Sequence, residues 1–492
     1  MASIWERDRN APVYAPLDGD RSVDVLVIGG GMAGILAAYE IQCAGREVLV
    51  LEAERVGSGQ TGRTTGKITA QHGLYASGLL RAVGLERARA VMGLHQRAIA
   101  RYGEIIAQEG IRCGYCQQTA FVYNRQDARA LSREALAAEQ LGIPARLCRE
   151  LPLPFAVAGA VAYPGQAQFH PLQFLDALAS RVPVCEHTRV RRIVGHVAQT
   201  NRGDVTARKI VVATHYPIQN RPGYYFLRMD QQRSYLLALS GAPALSGMYI
   251  DEQTGGLTLR QAGEYLLLGG QGHRTGVVPQ TDPYAALRRA AQALYPTSQV
   301  EAAWSAQDCM SLDRILYAGT YARTQPDQYV ASGFDKWGMT GSMVAAGVVA
   351  RAIAGRPEPW DAAVSPRRGM ALSGVPKLLV HGGYTLKGFA DRLLDVPQMD
   401  LTDLPAGQAA VVQVGGKRRG AYRDEQGRVH LVSLRCPHMG CELKWNPQER
   451  SWDCPCHGSR FDYEGRLLDS PSTASIARLS QQEPQPAPAR ES

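Results

Sequence analysis

Cys436, His438, Cys454 and His457 stand in the pattern C-x-H-x15-C-x2-H, within the stretch CPHMGCELKWNPQERSWDCPCHGS from Cys436 to Ser459. Two thiolates suit a ferric iron bridged by sulfide. Two neutral imidazoles on a second iron remove two negative charges and raise the reduction potential. The two loops can therefore hold one [2Fe-2S] centre. The bland reading is a four-cysteine zinc site or scattered structural cysteines. Ribbon-type zinc sites want C-x2-C at both ends, whereas this chain has C-x-H at one end and C-x-C-H at the other. Cys441 and Cys456 sit one step inside each loop, where a disulfide could pin the loops to each other.

The pairing of CPHMGC with CPCHGS resembles the Rieske proteins of the respiratory cytochrome bc complexes. The resemblance implies Cys436, His438, Cys454 and His457 as cluster ligands and a Cys441–Cys456 disulfide. Two departures stand out. Phe461 occupies the position where those proteins usually carry a tyrosine hydroxyl, although Ser459 is kept, and Pro437 replaces a small polar residue. Fewer hydrogen bonds to the sulfurs stabilise the reduced state less, so the potential is expected below the respiratory end of the Rieske range, roughly −150 to +300 mV.

A second chemistry opens the chain. VDVLVIGGGMAGILAAYEIQCAGREVLVLEAE reads as strand, glycine turn, helix and strand, with Gly29, Gly31 and Gly34 giving G-x-G-x-x-G at the join. The first glycine allows the tight turn, the second lets backbone approach a pyrophosphate, and the third lets the helix pack on the strand. Glu52 ends the second strand, where a carboxylate can accept ribose hydroxyls. The stretch Gly57 to Gly73, GSGQTGRTTGKITAQHG, resembles the loop after the second strand in flavoproteins of the D-amino-acid and glycine oxidase (DAO) family. That resemblance implies FAD, wrapped by Gly62, Arg63, Thr64, Thr65 and Gly66. Some relatives attach the flavin through a histidine here; Lys67 stands nearby instead, so non-covalent FAD is expected.

Trp304–Gly319 and Tyr329–Gly355 resemble the closing flavin motif of the same family. A strand ends at Gly333, Phe334 to Trp337 turn, and a helix begins about Met339, so that Gly338, Met339 and Thr340 present N–H groups to the electron-rich edge of the flavin. QFHPLQFLDALAS from Gln168 and RKIVVATHYPI from Arg208 resemble the return of the chain to the flavin domain. Helices are expected over about 77–108, ending at Gly110, and about 127–141. Cys113 and Cys116 form a C-x-x-C that does not open a helix after a strand and reads as ordinary buried cysteines. In GGQGHRTG, from Gly269, the glycine spacing invites a second dinucleotide site. Pro279 and Pro283 follow, so a helix is not expected to start cleanly and a hairpin is preferred.

The expected fold is mixed α/β and α+β: a Rossmann-like FAD-binding domain (20–75, 165–217 and 305–356), an interleaved β-rich substrate or cap domain (76–164 and 218–304), a linker with one helix (357–400), an all-β Rieske [2Fe-2S] domain (401–480) and a disordered tail (481–492). A chain of 492 residues, 45% hydrophobic and 20% charged, has the composition of a soluble multidomain protein. Lys and Arg exceed Asp and Glu by 54 to 45. No clustered basic and aromatic stripe of a nucleic-acid binder appears. The amino end lacks an apolar run, and the apolar stretch Val23 to Ile41 carries Asp24, Glu40 and glycines. No transmembrane segment and a cytoplasmic location are expected.

Together the two resemblances imply a flavin-dependent oxidoreductase, a dehydrogenase or oxidase. It would oxidise a small amine, amino acid or hydroxy compound by hydride transfer to flavin. Single electrons would pass to the Rieske cluster and out, at an exposed His438 and His457 edge, to a ferredoxin-like protein, a quinone or oxygen. Arg260, His273 and Arg274 are the candidates for orienting a substrate. A non-metabolic electron carrier or redox sensor is the alternative. A Rieske oxygenase would need a further iron held by two histidines and a carboxylate, a constellation the 11 histidines do not supply.

Overall fold

The computed structural model describes residues 2–7, 9–253, 255–369, 380, 383 and 399–479. The expected tail 481–492 lies outside the described residues. So does most of the segment expected to carry the linker helix, whose described part holds the 3-10 turn Pro359–Val364. Two compact units emerge: 1–273 with 281–378, and 274–280 with 379–492.

The first unit is built on two sheets. In the eight-stranded sheet, strand Arg21–Ile28 lies between Val48–Leu51 and Asp204–Val212, all parallel, and Asp204–Val212 runs parallel to Gln325–Ser332. Parallel strands covered on both faces must be apolar throughout, and Val25 to Ile28 and Val48 to Leu51 are buried without interruption. Helix α1 (Met32–Cys43) follows the glycine turn. The nine-stranded sheet runs Gln299–Ser311, Met229–Ser240, Tyr265–Arg274, Thr258–Ala262, Met248–Asp251, Cys116–Asn124, Gly159–Gln168, Lys67–Ile68, with Arg146–Cys148 pairing on Gly159–Gln168.

Helix α2 spans Tyr75–Glu109, but Gly84 sits at φ 75 and ψ 173, so the run expected as one helix is two helical pieces joined at a glycine. Its end is read correctly: Gly110 adopts the left-handed conformation and its N–H bonds the Ile106 carbonyl. Helix α3 (Arg129–Gln140) and α4 (Pro171–Ala179) follow; the His170 ring caps α4 by accepting from the Gln173 N–H. Helix α5 (Pro283–Leu294) corrects the expectation that prolines forbid a helix there. Pro283 occupies the first turn, where its missing N–H costs nothing, and the Asp282 carboxylate accepts from the N–H groups of Tyr284 and Ala285. The residues from Gly269 run instead as the second half of strand Tyr265–Arg274. Helix α6 (Gly338–Ile353) packs against α1.

The second unit contains two four-stranded antiparallel sheets. One is formed by Ala409–Val414, Lys417–Arg423, Val429–Val432 and Arg478–Leu479, the other by Lys444–Asn446, Ser451–Asp453, Arg460–Asp462 and Leu467–Asp469. Its core gathers Val432, Leu434, Leu443, Trp452 and Phe461. Arg460, 2% exposed, is paired with Asp453 and Asp469 and reaches Glu449, so this buried cation is fully compensated.

Candidate functional site

In the first unit the glycines have geometric reasons. A Cβ on Gly34 would lie 1.8 Å from the Gly29 carbonyl oxygen, and one on Gly29 would lie 2.6 Å from that of Ala213. Helix α1 and strands Arg21–Ile28 and Asp204–Val212 can approach this closely only with bare backbone. Gly31 caps α1, whose Met32 N–H donates to Thr61 Oγ1 at 3.0 Å. Glu52 is held at the end of its strand by the Gly30 N–H at 2.6 Å and the Glu54 N–H at 2.9 Å. Burial pushes its carboxyl above the ordinary range. This is a cradle with one acidic rim, suited to a ribose diphosphate.

The loop from Gly62 to Gly66 is the most constrained part of this site. Its carbonyls are tied one by one: Gly62 O accepts from Ser3 Oγ (2.5 Å), Arg63 O from Trp304 Nε1 (2.9 Å), Thr64 O from Trp5 Nε1 (2.7 Å) and Gly66 O from Arg260 Nη1 (2.9 Å). Fixing four carbonyls by side chains from three distant segments pre-organises the loop around the remaining donors. Ser3 and Trp5 escaped the sequence reading because nothing local links an amino-terminal turn to residue 64. Thr340 is also committed: its hydroxyl donates to Thr69 O and accepts from Thr69 N–H, each at 2.9 Å. What the start of α6 offers a ligand is therefore backbone, and a Cβ on Gly338 would meet nothing within 4 Å.

Two buried cations flank this loop. Arg260 guanidinium stacks 5.4 Å from the Trp5 ring, and burial pulls it down to about 9. Its Nε has no hydrogen-bond partner among the described residues. Lys67 donates to Tyr249 O and Thr258 Oγ1 and is drawn down by burial and by Arg260 to about 7. His273 Nε2 bonds Tyr235 OH at 2.9 Å. Asp308, which the sequence reading passed over, is pushed up by burial to about 7 despite Lys336.

The second unit brings Cys436, His438, Cys454 and His457 together. Both cysteine loops are built alike: the Cys436 N–H donates to Cys441 O and Gly440 N–H to Cys436 O, while Cys454 N–H donates to Ser459 O and Gly458 N–H to Cys454 O. Gly440 and Gly458 sit at φ 84 and 83, conformations that favour glycine. The hydrogen bond between the Cys436 and Cys454 thiols, with N–H groups of His438 and Met439 and the Ser459 hydroxyl, draws Cys436 down to about 7. The His438 and His457 rings stand 4.9 Å apart at 85°. Burial lowers His438 to about 4, so its imidazole is neutral at pH 7. Cys441 and Cys456 form a disulfide. The Cys454 sulfur lies within 4.8 Å of both disulfide sulfurs, but that trio offers a single thiol and is no metal site. Two thiols and two imidazoles on paired loops are a donor set that fits a [2Fe-2S] cluster. The expected exposed edge is narrower than anticipated: His457 is 3% exposed, and His438 is half-buried. Arg274, expected near a substrate, donates within this unit to Pro455 O and Cys456 O.

Comparison with known proteins finds two families in the chain. Residues 24–352 match the FAD dependent oxidoreductase (DAO) family and residues 395–480 the Rieske [2Fe-2S] domain. The chain is 33% identical over 496 aligned residues to the Rieske 2Fe-2S iron-sulfur protein YhfW of Bacillus subtilis (strain 168), covering 97% of each. It is 26% identical to gamma-glutamylputrescine oxidoreductase of Escherichia coli (strain K12), over 42% of this chain and 52% of that one. Glycine oxidase from Geobacillus kaustophilus shares the fold at a TM-score of 0.59 and 21% identity, covering 68% of this chain and 95% of that one. Among the described residues, no helix is long and apolar enough to cross a membrane.

Proposed function

Since the chain belongs to the DAO family of FAD-dependent oxidoreductases and carries a Rieske [2Fe-2S] domain, we propose that it oxidises a C–N or C–O bond of a small molecule in the cytoplasm. The electrons leave singly for an external acceptor, a ferredoxin-like protein, a quinone or oxygen. When bound, FAD supplies a two-electron hydride acceptor and the cluster a one-electron relay. An amine or amino acid is preferred to a hydroxy compound, in keeping with the names of gamma-glutamylputrescine oxidoreductase and glycine oxidase among its relatives.

In this reading Gly29, Gly31 and Gly34 admit the pyrophosphate, Glu52 accepts the ribose hydroxyls, and Arg63, Thr64 and Thr65 line the loop that wraps the cofactor. Gly338, Met339 and Thr340 offer N–H groups at the start of α6. Cys436 and Cys454 hold one iron, His438 and His457 the other. Arg260 is a positioning residue for Gly66 rather than a substrate ligand, and the substrate region comprises 76–164 and 218–304. The observation that carries the reading is the pre-organised loop 62–66 in the same polypeptide as a converging two-thiol, two-imidazole set.

Anaerobic mixing of the holoprotein with a panel of amines, amino acids and hydroxy acids tests it, with flavin absorbance and the electron paramagnetic resonance (EPR) of the cluster followed together. Bleaching of flavin with appearance of the reduced-cluster signal is expected for one amine or amino acid. A panel that bleaches nothing while dithionite reduces both centres would favour an electron carrier instead.

A further inference from the structure

The second unit includes a short segment remote in sequence from the rest, Arg274–Gln280. Within that unit Arg274 donates from Nε to Pro455 O at 3.3 Å and from Nη2 to Cys456 O at 3.0 Å. These carbonyls belong to two consecutive peptide groups, Pro455–Cys456 and Cys456–His457. The same two peptides lie between Cys454 and His457, the two candidate ligands of this loop. One guanidinium thus caps the carbonyl ends of two successive peptides between two candidate ligands. Gly276 makes the approach possible: it sits at φ +78, and a Cβ there would lie 2.4 Å from Pro455 N and Cα.

The loop does not need Arg274 for its shape. Cys454 N–H to Ser459 O and Gly458 N–H to Cys454 O close it by backbone alone. What the arginine adds is charge. A cation on a peptide carbonyl polarises that peptide and strengthens the hydrogen bond its N–H donates. Hydrogen bonds to the sulfurs of an iron-sulfur centre stabilise its more electron-rich, reduced state.

We propose that Arg274 is a positioning residue of the cluster, whose charge, carried by the two peptides on either side of Cys456, stabilises the reduced state and raises the reduction potential. The inference rests on Cys454 being a cluster ligand. It assigns to a residue within the second substrate-region segment of the chain a role in setting where electrons come to rest.

Redox titration of the full-length holoprotein, followed by the EPR of the reduced cluster, tests it on Arg274→Gln, Arg274→Lys and Gly276→Ala. Arg274→Gln keeps a donor and loses the charge. Its cluster should be harder to reduce by about tenfold, equivalent to about 59 mV for one electron. Arg274→Lys should recover part of the shift, and Gly276→Ala, which pushes the tip off Pro455, should move the potential in the same direction as Arg274→Gln. FAD content should stay constant. A fully loaded Arg274→Gln cluster with an unchanged potential overturns the proposal, as does an unchanged potential in Gly276→Ala should the arginine variants fail to load. Loss of the cluster in all three variants also overturns it, because it marks a scaffold rather than a tuning role. Absence of a Rieske signal from the wild-type protein would instead sink the ligand reading itself.

Discussion

A single indole nitrogen, Nε1 of Trp5, fixes the Thr64 carbonyl in the loop 62–66 by a hydrogen bond of 2.7 Å. Trp5→Phe keeps the ring over Arg260 and deletes the donor. With a net hydrogen bond worth about 1 kcal/mol, FAD should bind roughly fivefold more weakly. Fluorescence titration of the apoprotein with FAD measures this, and an unchanged Kd would mean that the loop is not held by its carbonyls. For the Cys441–Cys456 disulfide, closing a loop of 15 residues restrains the unfolded chain by about 3 kcal/mol. Cys441→Ala/Cys456→Ala should therefore bleach its visible iron-sulfur absorbance at a clearly lower temperature than wild type. At this scale, candidate cluster residues were legible because their spacing is local. Arg274 was legible only as a polar residue at a strand end, since its partners lie 181 and 182 residues downstream.

Helix α2 carries His95, whose Nδ1 faces the Val91 carbonyl and whose ring meets His72 edge-on; His72 in turn stacks on Trp337, just before α6. Burial holds His95 down at about 4, below its unfolded value of 6.5. The sign follows directly: the folded state prefers the neutral ring, so this contribution is complete above pH 6.5 and is lost as pH falls from 6.5 toward 4, by up to roughly 3 kcal/mol. His95→Gln should lose stability slightly at pH 7 yet be less acid-sensitive, which urea denaturation at pH 7 and 4.5 would reveal. A parallel slope in both proteins would refute it. At the junction of α1, Gly34→Ala forces a Cβ to within 1.8 Å of the Gly29 oxygen. The variant should purify without FAD or fail to accumulate, and flavin retention on desalting decides it. Element positions were legible wherever apolar period and caps agreed, as at Gly110. They were misread where one residue type has two uses: proline ends helices from inside but starts them well, as at Pro283.

For the whole molecule, titration with dithionite should consume roughly three electrons per chain, two at flavin and one at the cluster. A count near two or one would mean that one of the two groups is missing. The two-part architecture was readable because each part announces itself by a short motif, glycines in one and cysteines with histidines in the other. The allocation of Arg274–Gln280 to the second unit was not, since those residues read as the end of a strand and the turn after it. That allocation bears on how such a chain can be taken apart. A gene fragment beginning at residue 379 would encode an iron-sulfur unit lacking seven residues that belong to it. Transplanting that fragment onto another enzyme would carry across a cluster without its distant arginine, so the carboxy-terminal part is not a freely exchangeable cassette.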